Sequence, residues 1–226
     1  MSPDSSPAAR DRGVLGLDEA GRGAALGPLV VAGVVLDPLK AGALTRLGVR
    51  DSKRFGAGDA ARTHRKALAW HIERLAECIV VRVLDAGEVD RYAEVGDLNV
   101  LERRAADEIL GEAGTVHRVV ADGRRLFEAL RPRYPHLEAV DDGESHHVAV
   151  AAASVIAKVR RDALLDALLE RYEAEYGEVK GGGYVNAATE RFLRAYHGRT
   201  GRLPPETRMS WSWDVIRELR GAPRLF

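Results

Sequence analysis

Two apolar runs near the start of the chain, separated by a glycine-rich turn, constrain the fold most. Val14–Asp18 (VLGLD) is short and ends in an acid, and Leu29–Leu36 (LVVAGVVL) is rich in β-branched residues and is bounded by Gly-Pro and Asp-Pro pairs. Runs of this length and composition, bounded by turn residues, are typical of buried strands. The pattern predicts that the fold begins with a two-stranded hairpin.

Strand and helix patterns alternate after this hairpin. Apolar spacing predicts helices over 59–77, with Asp59 as the N-cap, and over 96–113, 147–176 and 213–219; strands are predicted over 79–84, 116–121 and 137–140. This order indicates an α/β protein with a mixed five-stranded sheet flanked by helices and a helical C-terminal extension. We expect a disordered tail at 1–12, the main domain at 13–180, and at 181–226 the extension packed on the same domain.

Composition excludes several classes of protein. The chain has 226 residues, enough for one domain with an appendage, and its apolar runs are interrupted by glycine and proline. They fall well short of the roughly 20 residues that a membrane helix needs. The polar N-terminus lacks the apolar stretch of a signal peptide, and a single cysteine, Cys78, cannot form an internal disulfide. We therefore expect a cytoplasmic protein without a membrane anchor.

The charges balance overall but are segregated along the chain. There are 34 basic and 34 acidic residues, with a basic surplus over 50–74 and over 155–226 and an acidic surplus over 75–149. A basic surface around an acidic pocket would suit a protein that binds phosphates and divalent cations. The alternative is that folding mixes the basic and acidic segments on the surface, so that no such separation of charge exists in the folded protein.

Asp18 and Glu19 stand where the first predicted strand ends. Adjacent carboxylates at the end of a buried strand are costly to desolvate unless a cation shares the site, so this pair is a candidate metal site. Successive strand residues point to opposite faces, so both can be ligands only if the backbone turns at Glu19. The alternative is a solvated turn.

Asp122 repeats this arrangement after the strand predicted over 116–121. Parallel strands gather their carboxyl ends at one edge of a sheet, so Asp18 and Asp122 are expected to converge. A further acidic cluster, Asp141, Asp142 and Glu144, precedes the long helix. The alternatives are an ordinary Asp-Gly turn at Asp122 and a helix cap in the cluster.

Several other residues are candidates for substrate binding. Gly21-Arg22-Gly23 offers unobstructed backbone amides and one guanidinium, which suit a phosphate. Lys53 lies in a loop before a basic helix, Ser154 and Lys158 share one helix face, and Tyr184 follows a glycine run where it could stack on a sugar or base. Solvated loops and side-chain packing are the alternatives.

Two other kinds of chemistry fit poorly. Ser154 and Lys158 have the spacing of a serine nucleophile and its base, but no motif supplies an oxyanion hole. His146 and His147 match no zinc spacing, and the neighbouring acids favour a harder ion.

Four sequence blocks, taken together, resemble ribonuclease HII, the type 2 ribonuclease H family. In chain order they are GLDEAGRG at 16–23, GPLV at 27–30, DSK at 51–53 and AAASVIAKVRRD at 151–162. The resemblance covers residues 14–220. Two C-terminal stretches, GY at 183–184 with TERFL at 189–193 and RMSW at 208–211, are more similar to the archaeal and eukaryotic members.

The resemblance implies an RNase H-like fold over 13–180 and four acidic residues that are both catalytic and metal ligands. Asp18, Glu19 and Asp122 match three of them. The fourth position, an aspartate in the family, is occupied by Glu144, so either the backbone has adjusted or Asp141 or Asp142 is the ligand. A second departure is Val185, where relatives usually have proline, which would leave the Tyr184 loop less rigid.

The family's activity is the expectation for this chain. The resemblance implies a metal-dependent endonuclease with two Mg²⁺ or Mn²⁺ ions per site. It would cut the RNA strand of RNA/DNA hybrids and single ribonucleotides in duplex DNA, as in ribonucleotide excision repair, leaving 3′-hydroxyl and 5′-phosphate ends. Gly21, Arg22, Gly23, Lys53, Ser154, Lys158 and Tyr184 are the expected substrate-binding residues. We expect a monomer. The alternatives are a hybrid-binding protein whose catalysis is weakened by Glu144, or another RNase H-like nuclease or integrase that acts on DNA.

Overall fold

A computed structural model of the chain describes residues 13–49 and 58–221. Its strands are β1 (Val14–Ala20), β2 (Leu29–Leu36), β3 (Cys78–Leu84), β4 (Arg118–Asp122) and β5 (Leu137–Val140). Its helices are α1 (Pro38–Arg46), α2 (Asp59–Leu75), α3 (Ala86–Ala93), α4 (Leu98–Ala113), α5 (Arg124–Phe127), α6 (Gly143–His146), α7 (Val148–Tyr176), α8 (Ala187–Thr200) and α9 (Asp214–Leu219), with a 3-10 turn at Glu128–Leu130. The predicted tail at 1–12 lies outside the described residues.

The predicted α/β fold is confirmed. The five strands form one mixed sheet, and helices make up the end of the described chain. One detail is wrong: Asp59 is the first residue of α2, and Gly58, which has no side chain to cap the helix, occupies the N-cap position. Helices α1 and α3 were not predicted.

The chain divides into two compact units. The first contains the residues up to Ala20, Val30–Arg82 and Asn99–Val159, and the second contains Gly21–Leu29, Val83–Leu98 and the residues from Arg160 onward. The boundaries predicted from the sequence, 13–180 and 181–226, remain a prediction about domains.

The sheet has the strand order β3-β2-β1-β4-β5. Strands β1 and β2 form the predicted antiparallel hairpin, while β4 runs parallel to both β1 and β5. Leu17 of β1 is the register partner of Ala121 of β4. The next residue on each strand is an aspartate, so this register brings Asp18 and Asp122 side by side.

Two glycines let helices approach the sheet closely. A Cβ at Gly16 would lie 2.1 Å from the main chain of Ala149, at the start of α7, and a Cβ at Gly33 would lie 2.4 Å from Ile109 of α4. The start of α7 is rich in alanine and packs on the sheet in the core of the first unit. Glycine and alanine thus place the backbone of α7 directly against β1.

The second unit has its own apolar core. It is formed by buried residues of the segment after β1, α7, α8, α9 and the loop before α9: Ala25, Leu26, Leu165, Phe192, Leu193, Leu203, Val215 and Ile216. Tyr172, Tyr176, Phe192 and Tyr196 form an aromatic cluster beside it, with ring centroids 5.3 to 6.4 Å apart.

Across residues 13–49 and 58–221, no helix combines the length and the apolar character that a membrane crossing requires.

Candidate functional site

Asp18 is held near the end of β1 on the face of the sheet that α7 covers. Side chains alternate along a strand, so Asp18 shares its face with Gly16, against which Ala149 of α7 packs. Ser154, further along α7, lies beside the Asp18 carboxylate and acts to lower its pKa. The Asp18 side chain is buried, with 7% of its surface exposed.

The Asp122 carboxylate is oriented by the short helix α6. Gly143, the first residue of α6, donates its main-chain N–H to Asp122 Oδ1 over 3.1 Å. The preceding residue, Asp142, has φ 57°, in the left-handed region that non-glycine residues rarely occupy. This turn places the amide of Gly143 at the end of β4.

Glu144 reaches the same place from α6. Its Oε2 accepts a hydrogen bond from Ser154 Oγ over 2.8 Å and another from Lys158 Nζ over 3.3 Å. Lys158 Nζ also donates to Ser154 Oγ over 2.8 Å. The Glu144 side chain is therefore fixed by two residues one turn apart on α7, and only 6% of its surface is exposed.

Asp18, Asp122 and Glu144 converge. Each offers one carboxylate oxygen, and the three oxygens lie within 4.8 Å of one another. Oxygen donors of this kind suit a hard divalent cation such as Mg²⁺ or Mn²⁺. Three carboxylates this close repel one another, with Lys158 as the neighbouring cation. The residues therefore fit a metal centre.

The electrostatics of Asp18 agree with this arrangement. Burial raises the pKa of its carboxyl from 3.8 to about 7, and the negative charge of Glu19 adds to the rise. Hydrogen bonds from Ser154 and the main chain of Glu19, and the charge of Lys158, act in the opposite direction. A group that resists ionisation in a metal-free site would be stabilised as a carboxylate by a bound cation.

Glu19 is placed differently from Asp18. The backbone turn expected at this residue is absent: β1 continues to Ala20, and Glu19 pairs with Val31 of β2. Its negative charge still raises the pKa of Asp18, although within the described residues it is not one of the three converging carboxylates. Its role as a ligand remains a prediction.

Asp141 and Asp142 are the alternatives to Glu144 as the fourth ligand. Their surroundings differ from those of Glu144. Asp141 Oδ1 accepts the main-chain N–H of Arg124 over 3.0 Å, so it caps the start of α5. Asp142 is exposed and occupies the N-cap position of α6. Among these acidic residues, Glu144 alone joins Asp18 and Asp122 in the converging group.

Ser154 and Lys158 face the carboxylates. Ser154 is fully buried and contacts Asp18 and Glu144, whereas the Lys158 side chain is 34% exposed. Ser154 is thus placed to orient carboxylates, and Lys158 combines this contact with partial access to solvent.

The glycine-rich turn belongs to the second unit. Gly21 is buried with φ +90°, and a Cβ there would lie 2.0 Å from Arg161 Nε, so both its conformation and its packing require glycine. Arg22 and Gly23 are exposed. Gly23 has φ outside the left-handed region, and the nearest atom to a Cβ there would be Tyr184 Cε1, 4.0 Å away.

Tyr184 lies in the same unit as this turn. Its ring is 45% exposed, and the guanidinium of Arg161 stacks over it at 5.3 Å from the ring centroid. Asn186, which caps α8, donates to Tyr184 O over 2.8 Å, and Thr189 Oγ1 donates to the same oxygen over 2.7 Å. These contacts anchor the loop that contains Val185. Lys53 lies outside the described residues.

The sequence patterns placed Arg161 on the long helix beyond Lys158 but did not indicate that Arg161 and Arg208 are buried and hold the segment after β1. Arg161 donates to the main-chain oxygens of Pro28, Leu26 and Gly182. Arg208 is fully buried and donates to Gly27 O and Arg22 O. Arg161 shares the VRRD motif with the exposed Arg160, and Arg208 lies in a loop without periodicity, so neither could be recognised as buried from the sequence.

Comparisons with known proteins identify the family of the chain. A model of the family described as ribonuclease HII matches residues 15–213. The ribonuclease HII of Methanothermobacter thermautotrophicus is 35% identical over 207 residues, covering 88% of this chain and 96% of that protein. That of Pyrobaculum neutrophilum is 38% identical over 208 residues, covering 89% and 95%.

Solved structures give the same result. The ribonuclease H2 from Pyrococcus horikoshii OT3 superposes with a TM-score of 0.77 at 27% identity, covering 92% of this chain and 96% of that one. The RNase HII of Archaeoglobus fulgidus, solved in a complex with PCNA, gives 0.75 at 28% identity, covering 89% and 96%. An RNase HIII solved with Mn²⁺ has 22% identity and a TM-score of 0.69, covering 97% of this chain and 73% of that one, and shows the shared fold.

Proposed function

Because the chain belongs to the ribonuclease HII family, a family of metal-dependent endonucleases, we propose that it cuts the RNA strand of RNA/DNA hybrids and cleaves 5′ of single ribonucleotides in duplex DNA. The observation that supports this most is the convergence of Asp18, Asp122 and Glu144, whose carboxylate oxygens lie within 4.8 Å of one another. Cleavage at a lone ribonucleotide would begin its excision from DNA.

We propose that Asp18, Asp122 and Glu144 hold two Mg²⁺ or Mn²⁺ ions, with Glu19 as a further ligand. When bound, such ions supply an activated water and stabilise the charge that develops on the leaving oxygen. The chain's own contribution is orientation: the Gly143 amide holds Asp122, and Ser154 and Lys158 hold Glu144. The proposed products carry 3′-hydroxyl and 5′-phosphate ends.

Gly23 is the proposed reader of the ribose. Within the described part of the chain, its main-chain N–H and C=O form no hydrogen bond, and it is exposed. Nothing in those residues requires glycine at this position, since a Cβ would meet Tyr184 at an ordinary 4.0 Å. The absence of a side chain instead suits a sugar approaching the backbone, where a 2′-hydroxyl could both donate and accept a hydrogen bond.

The remaining substrate contacts are proposed from charge and exposure. The exposed guanidinium of Arg22 and the partly exposed ammonium of Lys158 suit phosphates of the substrate, as does Lys53, and the exposed ring of Tyr184 suits packing on a sugar. Binding by such cations would weaken as the salt concentration rises.

A labelled-strand assay tests this function. Duplex DNA with one internal ribonucleotide, an RNA/DNA hybrid and an all-DNA duplex would each be incubated with the purified protein in Mg²⁺, Mn²⁺ or EDTA. We expect metal-dependent cleavage of the first two and none of the third, with Asp18→Asn as the inactive control.

The same assay separates the alternatives. Tight binding of the hybrid without product in either metal would replace the proposal with a hybrid-binding protein impaired by Glu144. Cleavage of the all-DNA duplex at a similar rate would indicate a DNA nuclease.

A further inference from the structure

The segment after β1, residues 21–28, is held by its main-chain carbonyls. The Arg208 side chain binds the segment near its beginning and near its end. Its Nη1 donates to Arg22 O over 2.8 Å, and its Nε donates to Gly27 O over 3.1 Å. The main-chain N–H of Arg208 donates to Ala25 O over 2.8 Å, and Trp211 Nε1 donates to Ala24 O over 2.7 Å.

The other carbonyls of the segment, apart from that of Gly23, are also bonded. Arg161 donates to Leu26 O and Pro28 O, and Gly21 O accepts the N–H of Ala24 over 3.2 Å. In the described chain, Gly23 is therefore the one residue of 21–28 whose carbonyl has no donor. Its neighbours on both sides are fixed while its own polar groups stay available.

Because peptide units are planar, the hydrogen bonds of the neighbouring residues fix the directions of the Gly23 N–H and C=O. The carbonyl of Arg22 and the N–H of Gly23 belong to one planar peptide unit, and a trans unit points them in opposite directions. The bond from Arg208 Nη1 to Arg22 O therefore fixes the direction of the Gly23 N–H. In the same way, the bond from the Ala24 N–H to Gly21 O fixes the carbonyl of Gly23.

We propose that Arg208 is a positioning residue for ribose selection, acting through the Arg22–Gly23 peptide. The inference rests on the proposed function, in which Gly23 reads the sugar. Arginine suits this role because its rigid fork spans two carbonyls at once, whereas lysine presents a single ammonium point. Arg208 is fully buried, so its own guanidinium does not contact the substrate.

Binding measured without metal isolates this role from cleavage. Fluorescence anisotropy in EDTA would compare the Kd for duplex DNA containing one ribonucleotide with the Kd for the all-DNA duplex of the same sequence. We expect the wild-type protein to prefer the ribonucleotide duplex, and Arg208→Lys to lose about tenfold of that preference, the effect of one misplaced hydrogen bond. Arg208→Gln, which buries no charge, is the second variant if Arg208→Lys does not fold.

Trp211→Phe is the matched control. It removes one hydrogen bond from the same segment, but the Ala24 carbonyl that it frees shares its peptide unit with Ala25 and not with the Gly23 N–H. We expect this variant to keep the wild-type preference within about twofold, a change smaller than the loss of one hydrogen bond. Melting temperatures would confirm that each variant is folded.

The outcomes are distinguishable. A wild-type protein without preference for the ribonucleotide overturns the proposed sugar reading and this inference together. A wild-type preference that folded Arg208 variants keep overturns the inference alone, as does an equal loss in Trp211→Phe, which would indicate general support of the segment.

Discussion

The fully buried Ser154 donates a hydrogen bond from its Oγ to Glu144 Oε2 over 2.8 Å, joining helix α7 to the short helix α6. This contact, with that from Lys158, holds the glutamate carboxylate beside Asp18 and Asp122. Glu144 is held there because α7 supplies donors for its carboxylate and because the left-handed residue Asp142 immediately precedes α6.

Removing the Ser154 hydroxyl should impair catalysis without removing a ligand. Outer-shell partners of metal ligands typically contribute about 10- to 100-fold to activity or metal affinity, so we expect Ser154→Ala to lose that much turnover. Single-turnover cleavage of a hybrid at several Mg²⁺ concentrations would measure it. An unchanged rate and unchanged Mg²⁺ dependence would show that Lys158 alone orients Glu144.

Neutralising Asp18 should abolish turnover while leaving nucleic acid binding intact. We expect Asp18→Asn to cleave more than about 100-fold slower, because a metal ligand is lost, and to bind the hybrid with similar affinity. Quantitative cleavage and anisotropy measurements on one preparation would test both. Wild-type turnover in the variant would remove Asp18 from the metal centre.

Neutralising Glu144 and Asp142 in turn should show which of them is the ligand. Glu144→Gln is expected to lose more than about 100-fold in activity, while Asp142→Asn should keep most of it because Asp142 is exposed and outside the converging group. Cleavage rates of both variants, with melting temperatures, would decide. The opposite pattern would assign the ligand to Asp142.

Metal binding should depend on pH through Asp18, whose pKa is raised to about 7. Because the pKa is raised, protonation of Asp18 stabilises the folded protein when no metal is bound. This contribution to the free energy of unfolding is lost as the pH rises through that value. Because Mg²⁺ requires the ionised form, the gain in melting temperature on adding Mg²⁺ should be larger at about pH 8 than at about pH 6. Calorimetry on the wild type and Asp18→Asn would test this, and equal gains at both pH values in the wild type would contradict it.

The two glycines of the turn should respond differently to alanine. Gly21→Ala places a methyl group against Arg161 in a left-handed conformation and should cost about 1–3 kcal/mol of stability. Gly23→Ala should change stability by less than about 0.5 kcal/mol yet lower cleavage at single ribonucleotides, because the methyl group would occupy the space proposed for the sugar. Denaturant unfolding and cleavage assays would separate the two, and full activity in Gly23→Ala would place the sugar elsewhere.

Tyr184 should matter most where only one ribose is available. We expect Tyr184→Ala to slow cleavage at a single ribonucleotide about tenfold, the loss of one stacking contact, and to affect long hybrids less. Tyr184→Phe, which keeps the ring, is the control and should retain activity. Equal effects on both substrates would indicate that Tyr184 serves to pack its loop.

The sheet and the convergence of Asp18 with Asp122 could be predicted because both follow from local patterns. Apolar runs set the strands, and parallel pairing of β1 with β4 brings their final acids together. Helices α1 and α3 also had local signals that could have been used. Asp37 immediately precedes Pro38, and its side chain accepts the main-chain N–H of Leu39. Asp85 likewise accepts the main-chain N–H of Glu88, so both aspartates are N-caps.

The remaining features depend on contacts distant in sequence. The hydrogen bond from Arg208 to Arg22 O joins residues 186 positions apart. The sequence of a loop contains no pattern that would indicate that an arginine in it is buried. Whether the backbone turns at Glu19 depended on where β1 ends, and the boundaries of strands and helices are poorly specified by sequence. The place of Glu144 likewise required the conformation of Asp142, which no residue type dictates.

The register of β1 against β4 makes the carboxylate group depend on pairing between distant stretches of the chain. Asp18 and Asp122 become neighbours only when strands from separate stretches of the chain have paired, and Glu144 is oriented only after Ser154 and Lys158 have been added and α7 has docked. A slip of β1 by two residues against β4 would keep the alternation of faces. It would shift Asp18 by about 6.6 Å along the strand relative to Asp122. A nascent chain that ends before α7, or a chain with misregistered strands, would therefore lack the assembled carboxylate group.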